Sequence, residues 1–187
     1  MVWIMEYTEV ALGLIGPVVV ALGIIVSSRM IRKQMRLNYN LNIRNKSLQY
    51  SLYANEHLRD ARIEVERVFG PMFAIAEAIP MAEIREKMNS NNGSTGENHV
   101  YASILTLLAH WENMALSIDV GLSDDDVCFE MVASTLIQHV KIFRNFIEER
   151  RSNNPRVYDH LMSLRRRWED RLMKIQRSNF QPLLTGA

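Results

Sequence analysis

A chain of 187 residues with 22 Lys+Arg against 21 Asp+Glu is close to neutral, and 48% of its residues are apolar and 23% charged. That balance excludes a disordered or low-complexity chain, and the length suits one domain with a real core. Near-neutrality argues against a dedicated nucleic-acid binder, and the single cysteine, Cys128, excludes a disulfide framework or a Cys-rich zinc site.

The segment 10–26, VALGLIGPVVVALGIIV, carries no charged or strongly polar side chain. As a helix it covers roughly 26 Å, and with Thr8, Ser27 and Ser28 at its edges it approaches the ~30 Å core of a bilayer. The expectation is a transmembrane anchor; the competing reading is a buried helix of a folded domain. Glu6 and Glu9 precede the run, whereas Arg29, Arg32, Lys33, Arg36, Arg44 and Lys46 follow it. The positive-inside bias then puts the N-terminus outside and the remainder in the cytoplasm, as a single span in the inner (plasma) membrane. This order of charge is the reverse of a cleaved signal peptide. Arg29, Arg32, Lys33 and Arg36 are assigned to the membrane surface, against anionic lipid head groups. Pro17 predicts a kink, and Gly23 with Ser27 forms a small-xxx-small pair; the first reading is the ordinary tolerance of Gly and Pro in a membrane helix, the second a homo-oligomer contact through the span.

From Met30 to Phe69, Leu37, Leu41, Leu48 and Leu52 keep close to one helix face. The stretch Leu37–Ile43 also alternates with period two, but no second strand candidate exists to pair with it. The expectation is a long helix, or one broken near the Asn-rich stretch. It ends at Gly70-Pro71. Pro80 divides Met72–Met88 into two short helical turns, and 89–97, NSNNGSTGE, reads as a loop. A third helix carries Val100, Ile104, Leu107, Leu108, Trp111, Ala115 and Ile118, closed by Gly121. Ser123 before Asp124, Asp125 and Asp126 reads as an N-cap with an acidic first turn. The helix that follows carries Phe129, Val132, Leu136, Val140, Phe143 and Ile147 up to Arg150-Arg151. A last helix carries Val157, Leu161, Leu164, Trp168, Leu172 and Ile175. Short connections make these three antiparallel neighbours, with Trp111 and Trp168 as core aromatics.

Catalytic signatures are absent: there is no Walker loop, GxGxxG, GxSxG, HExxH or CxxC. His110, His139 and His160 lie on helices that could converge with Glu112, but the ExxH pairs of bundle di-metal sites are missing. No cofactor or metal is expected. Glu112, with Leu105, Leu108, Ala115 and Leu116 at helical spacing, is the informative polar residue. A partly buried carboxylate needs a partner or a proton. Arg62, between Ala61 and Ile63, is the candidate partner in a structural ion pair; an acid–base carboxylate is the alternative. Cys128, beside Asp124–Asp126, has its thiolate disfavoured and reads as a small core residue.

Taken in order, Ile104–Glu112 (ILTLLAHWE), Gly121–Asp126 (GLSDDD), Phe146–Arg151 (FIEERR), Asn154–Tyr158 (NPRVY) and Trp168 resemble a family of short bacterial and phage proteins catalogued only as a domain of unknown function. The resemblance covers residues 45–172. His110-Trp111 departs from it, standing where two apolar or aromatic residues are expected before the Glu. It implies an N-terminal membrane helix with a cytoplasmic helical domain and a bacterial or phage origin, and it brings no established activity from which to read a mechanism.

The resulting expectation is an all-α protein. Residues 1–28 form the N-terminal segment and anchor, 29–70 a juxtamembrane stalk helix, 71–178 an antiparallel bundle packed with the end of the stalk, and 179–187 a tail. Its expected partners are membrane lipids and an unknown protein, not nucleic acid. The leading function is a membrane-anchored interaction or regulatory module. The alternatives are an accessory structural subunit of a membrane complex and an enzyme with a site around Glu112.

Overall fold

The structure is a computed structural model. It describes the backbone of residues 2–50, 56–90 and 99–180, and side chains from residue 24 onward within those ranges, except at 56, 57, 90, 179 and 180. The chain divides into two units, Met1–Asn42 and Ile43–Ala187. Every regular element among the described residues is helical: α1 (Val2–Leu48), α2 (Glu56–Phe69), a 3-10 turn (Met72–Ala74), α3 (Met81–Ser90), α4 (His99–Asp119), α5 (Asp125–Ile142), α6 (Arg144–Asn153) and α7 (Asp159–Phe180).

The helical class stands, but the membrane anchor is corrected. Among the described residues no helix is long and apolar enough to cross a membrane. The single-span topology and the inner-membrane location fall with the anchor. Most of segment 10–26, including Pro17 and Gly23, has its side chains outside the described residues. So does most of the loop expected at 89–97.

The stalk expected from 29 to 70 is two helices. α1 ends at Leu48, and the amides of Gln49 and Tyr50 reach only to the carbonyls of Lys46 and Ser47, each at 3.1 Å. Such i→i+3 bonds tighten and close a last turn. The break lies beyond the Asn-rich stretch and has a tertiary cause. Ser47 is fully buried, donates to the Ile43 carbonyl at 2.9 Å and accepts the Asp124 amide at 2.7 Å. The last turn of α1 is thereby fixed to the start of α5.

Within the unit from Ile43 onward, the core follows helical periodicity. α2 buries Leu58, Ala61 and Val65; α4 buries Val100, Ile104, Leu107, Leu108, Trp111, Met114 and Ala115. α7 buries Leu161, Leu164 and Trp168, whereas Ile175, expected on the same side, is 40% exposed. Spacings of three and four keep each set on one face, and burial of these faces supplies most of the helical stability. α4 is central, packing on α2, α3, α5 and α7. Gly70 (φ +89°) and Gly121 (φ +72°) end α2 and α4 in the left-handed conformation that side-chain-bearing residues resist.

Two local expectations change. The N-cap of α5 is Asp124, whose Oδ1 accepts the Val127 amide at 3.1 Å; Ser123 sits one residue earlier, its Oγ 2.6 Å from that of Ser117. The helix expected to run through Phe143 is broken there into α5 and α6. The Ile142 carbonyl accepts the amide of Ile79 at 2.9 Å, and Asn145 Nδ2 donates to the Ile79 carbonyl at 2.9 Å. Docking of the 72–80 segment therefore interrupts the helix without Gly or Pro.

Candidate functional site

The densest polar geometry lies at the α6–α7 corner. Asn154 ends α6; its own amide donates to the Arg150 carbonyl at 3.2 Å, and its carbonyl accepts the Val157 amide at 3.1 Å. Pro155 cannot continue the helix. The chain then turns through Tyr158, whose φ of +60° is left-handed although its side chain is not glycine and is buried. A bulky residue in this region costs energy that the surroundings must offset. Those surroundings are specific. Arg151 Nη1 donates to the Val157 carbonyl at 2.8 Å and to Asp159 Oδ1 at 2.7 Å. Glu112 Oε2, from α4, accepts the Leu161 amide at 2.8 Å. Arg150 Nη1 donates to the hydroxyl of Tyr101 at 2.5 Å. Burial pushes the Tyr158 hydroxyl pKa up, so it stays protonated at neutral pH.

This arrangement holds a helix start. The first amides of a helix lack intrahelical partners and sit at the positive end of its dipole. A carboxylate from a neighbouring helix answers both needs, so Glu112 ties α4 to α7. Two turns later on α4, Asp119 repeats the device with side chains of α7: Oδ2 lies 2.7 Å from His160 Nδ1, and Oδ1 accepts from Arg167 Nη2 at 2.9 Å. Burial pushes the Asp119 carboxyl up, but the bonds from His160 and Arg167 outweigh it and hold it below the usual carboxylate range.

Trp111 and Trp168 lie in the core on α4 and α7. Trp168 packs edge-on against Phe129, centroids 5.7 Å apart, and its Nε1 donates to Asp125 Oδ1 at 2.7 Å. Trp111 Nε1 donates to His139 Nδ1 at 2.8 Å. An indole N–H only donates, so His139 is held as the neutral tautomer with its proton on Nε2. Burial drives its pKa down to about 3, with the nearby charges of Arg62 and His110 adding to the effect. His110, beside Trp111, bonds the Tyr50 carbonyl at 3.1 Å, and burial lowers its pKa too. The three core-helix histidines thus serve three different partners. Among the described residues no group of three or more His, Cys, Asp or Glu is placed to hold a metal ion.

Arg62 donates to Glu66 Oε1 at 3.1 Å, one turn along its own helix, while Glu112 holds the Leu161 amide. Cys128 is buried, and its thiol is pushed up to about 11, by burial first and then by Asp125 and Asp124. Such a thiol is a packing group, not a nucleophile. Arg29, Arg32, Lys33 and Arg36 stand together on one side of α1. Between α2 and α4 lies a groove of about 700 Å³ lined by Asp60, Glu64, Arg67, His99, Ser103 and Thr106. The Glu64–Arg67 ion pair at 2.7 Å lies in its wall.

Sequence reasoning did not find Tyr101, the left-handed turn at Tyr158, or the grouping of His160 with Asp119 and Arg167. Their partners are remote in sequence, and no spacing rule links a residue in a turn to one on another helix. The Asn154-Pro155 pair marked only that a turn exists.

These contacts define a helical domain in which separated sequence segments are cross-tied: Ile104–Glu112 with α7 through Glu112, and Gly121–Asp126 with Trp168 through Asp125. The chain belongs to the family described as Domain of unknown function (DUF4760), whose model matches residues 12–168. No curated protein and no solved structure matches it.

Proposed function

We propose that the protein is a helical interaction module. In this reading the bundle is a scaffold, and the exposed apolar side chains of α1 take another protein. The observation that carries it is the surface of α1. Ile24, Ile31 and Met35 fall on one face by their spacing, and Met30, Leu37 and Leu41 on a second; each is more than half exposed. A helix of this kind ordinarily gains its stability by burying such faces against something. A second copy of the chain is the weaker choice of partner. Side-by-side packing of two α1 helices would gather two sets of Arg29, Arg32, Lys33 and Arg36 with no carboxylate between residues 10 and 55 to relieve them.

The scaffold role is supported by the occupation of Glu112, the carboxylate an acid–base site would need, on the Leu161 amide. Site-specific photo-crosslinking in the native cell tests the reading. A probe at Met35 is expected to react with a partner protein, and that adduct is expected to vanish when Ile31 and Leu41 are changed to Ser. An adduct indifferent to those changes would count against it.

A further inference from the structure

Charge on this molecule is arranged in two ways. Over most of the chain, cations face carboxylates: Arg62–Glu66, Arg67–Glu64, Arg85–Glu149, Arg144–Glu148, Arg165–Glu169 and Arg171–Asp126 all pair within 3.1 Å. Over residues 29–36 of α1 the pattern reverses, whereas Arg44, nearer the end of that helix, lies 3.8 Å from Asp124 Oδ2. Arg29, Arg32, Lys33 and Arg36 stand at i, i+3, i+4 and i+7, so every neighbouring pair on that helix face has like charge. No Asp or Glu occurs between residues 10 and 55, and among the described residues no carboxylate pairs with any of the four. Arg32 Nε turns instead to the Ser28 carbonyl at 3.3 Å. The four side chains surround an exposed concavity of about 440 Å³. Like charges at these spacings oppose helix formation, so the arrangement works against α1 unless an anion sits among them.

We infer that Arg29, Arg32, Lys33 and Arg36 form a binding site for phosphate-bearing anions. Two features set the class of ligand. Guanidinium groups offer planar pairs of N–H donors matched to phosphate oxygens, and Lys33 adds a mobile point charge. Four cations along two turns of helix call for several negative charges close together, as in a polyphosphate or in clustered phosphate head groups. The site lies on a different flank of α1 from the apolar side chains and does not depend on the protein contact proposed above.

The test uses the full chain at low ionic strength and two probes: inorganic tripolyphosphate, followed by calorimetry, and phosphatidylglycerol vesicles against phosphatidylcholine vesicles, followed by co-sedimentation. The variant R29Q/R32Q/K33Q/R36Q keeps good helix formers at all four positions, and R144Q removes a cation elsewhere. The expected result is that wild type and R144Q bind at least one anionic probe, that the fourfold variant binds it at least tenfold more weakly, and that R29K/R32K/R36K retains binding. Response to tripolyphosphate alone assigns a soluble ligand, and response to phosphatidylglycerol vesicles alone assigns head groups. Equal binding by wild type and the fourfold variant, or binding of neither probe by wild type, would overturn the inference. Circular dichroism of the fourfold variant separates loss of charge from loss of the helix.

Discussion

The carboxylate of Glu112 on α4 accepts the backbone amide of Leu161 at 2.8 Å and so fixes the first turn of α7. This is a capping contact made across the bundle, by a residue 49 positions away rather than by the local sequence. Replacing Glu112 by Ala removes the acceptor and leaves a helix amide uncompensated. The expected loss is ~1–2 kcal/mol in denaturant unfolding. Glu112→Gln keeps a carbonyl acceptor and loses the charge near the helix dipole, so its cost should be smaller. Equal stability of Glu112→Ala and wild type would mean that the contact is not what holds α7.

Burial of His139 makes stability depend on pH. His139 is neutral in the fold, with a pKa of about 3, against ~6.5 in the unfolded chain. The unfolded state therefore binds the extra proton first, and stability falls as pH drops from about 6.5 towards 3. The slope from this residue approaches ~1.4 kcal/mol per pH unit within that window. His139→Gln removes the titrating group while offering the indole a carbonyl acceptor. Unfolding free energies measured from pH 7 to 4 should flatten in this variant; parallel curves for both proteins would contradict the assignment.

Gly121 tests the turn between α4 and α5. A Cβ there meets nothing within 4 Å, so Gly121→Ala changes only the backbone preference at φ +72°. The expected loss is ~1 kcal/mol, seen as a lower denaturant midpoint with an unchanged slope.

Trp168 joins α5 and α7 by its edge-on contact with Phe129 and its bond to Asp125. Trp168→Ala should cost ~3–5 kcal/mol, as for other buried aromatics. Trp168→Phe keeps ring packing and loses the indole N–H, so it should fall between the two. An unchanged midpoint in Trp168→Ala would show that α7 is not docked through this side chain.

Much of the bundle was legible because its signal is local and periodic. Val100, Ile104, Leu107 and Trp111 announce one buried face whatever they pack against. The break at Phe143 was not legible, because its cause is the Ile79 amide on the Ile142 carbonyl, and nothing within α5 marks it. The end of α1 was missed for the same reason: Ser47 is an ordinary helical position until Asp124 meets it. The apolar run 10–26 was read by composition alone, and the described side chains of α1 turn polar at Ser27 and basic at Arg29. The α6–α7 corner shows the limit for polar groups. The family-like segments could be recognised in order, but only the fold puts Glu112 at the head of α7.

The central claim is that α1, rather than the bundle, meets the partner. The direct measurement is photo-crosslinking in the native cell with a probe placed, one position at a time, at Met35 and Leu41 of α1 and at Glu83 and Arg166 of the bundle, all exposed. The account predicts one adduct of constant added mass from Met35 and Leu41 and none from Glu83 or Arg166. An adduct with the mass of two chains would replace the foreign partner by self-association. Adducts from the bundle positions alone, or from no position, would contradict the claim.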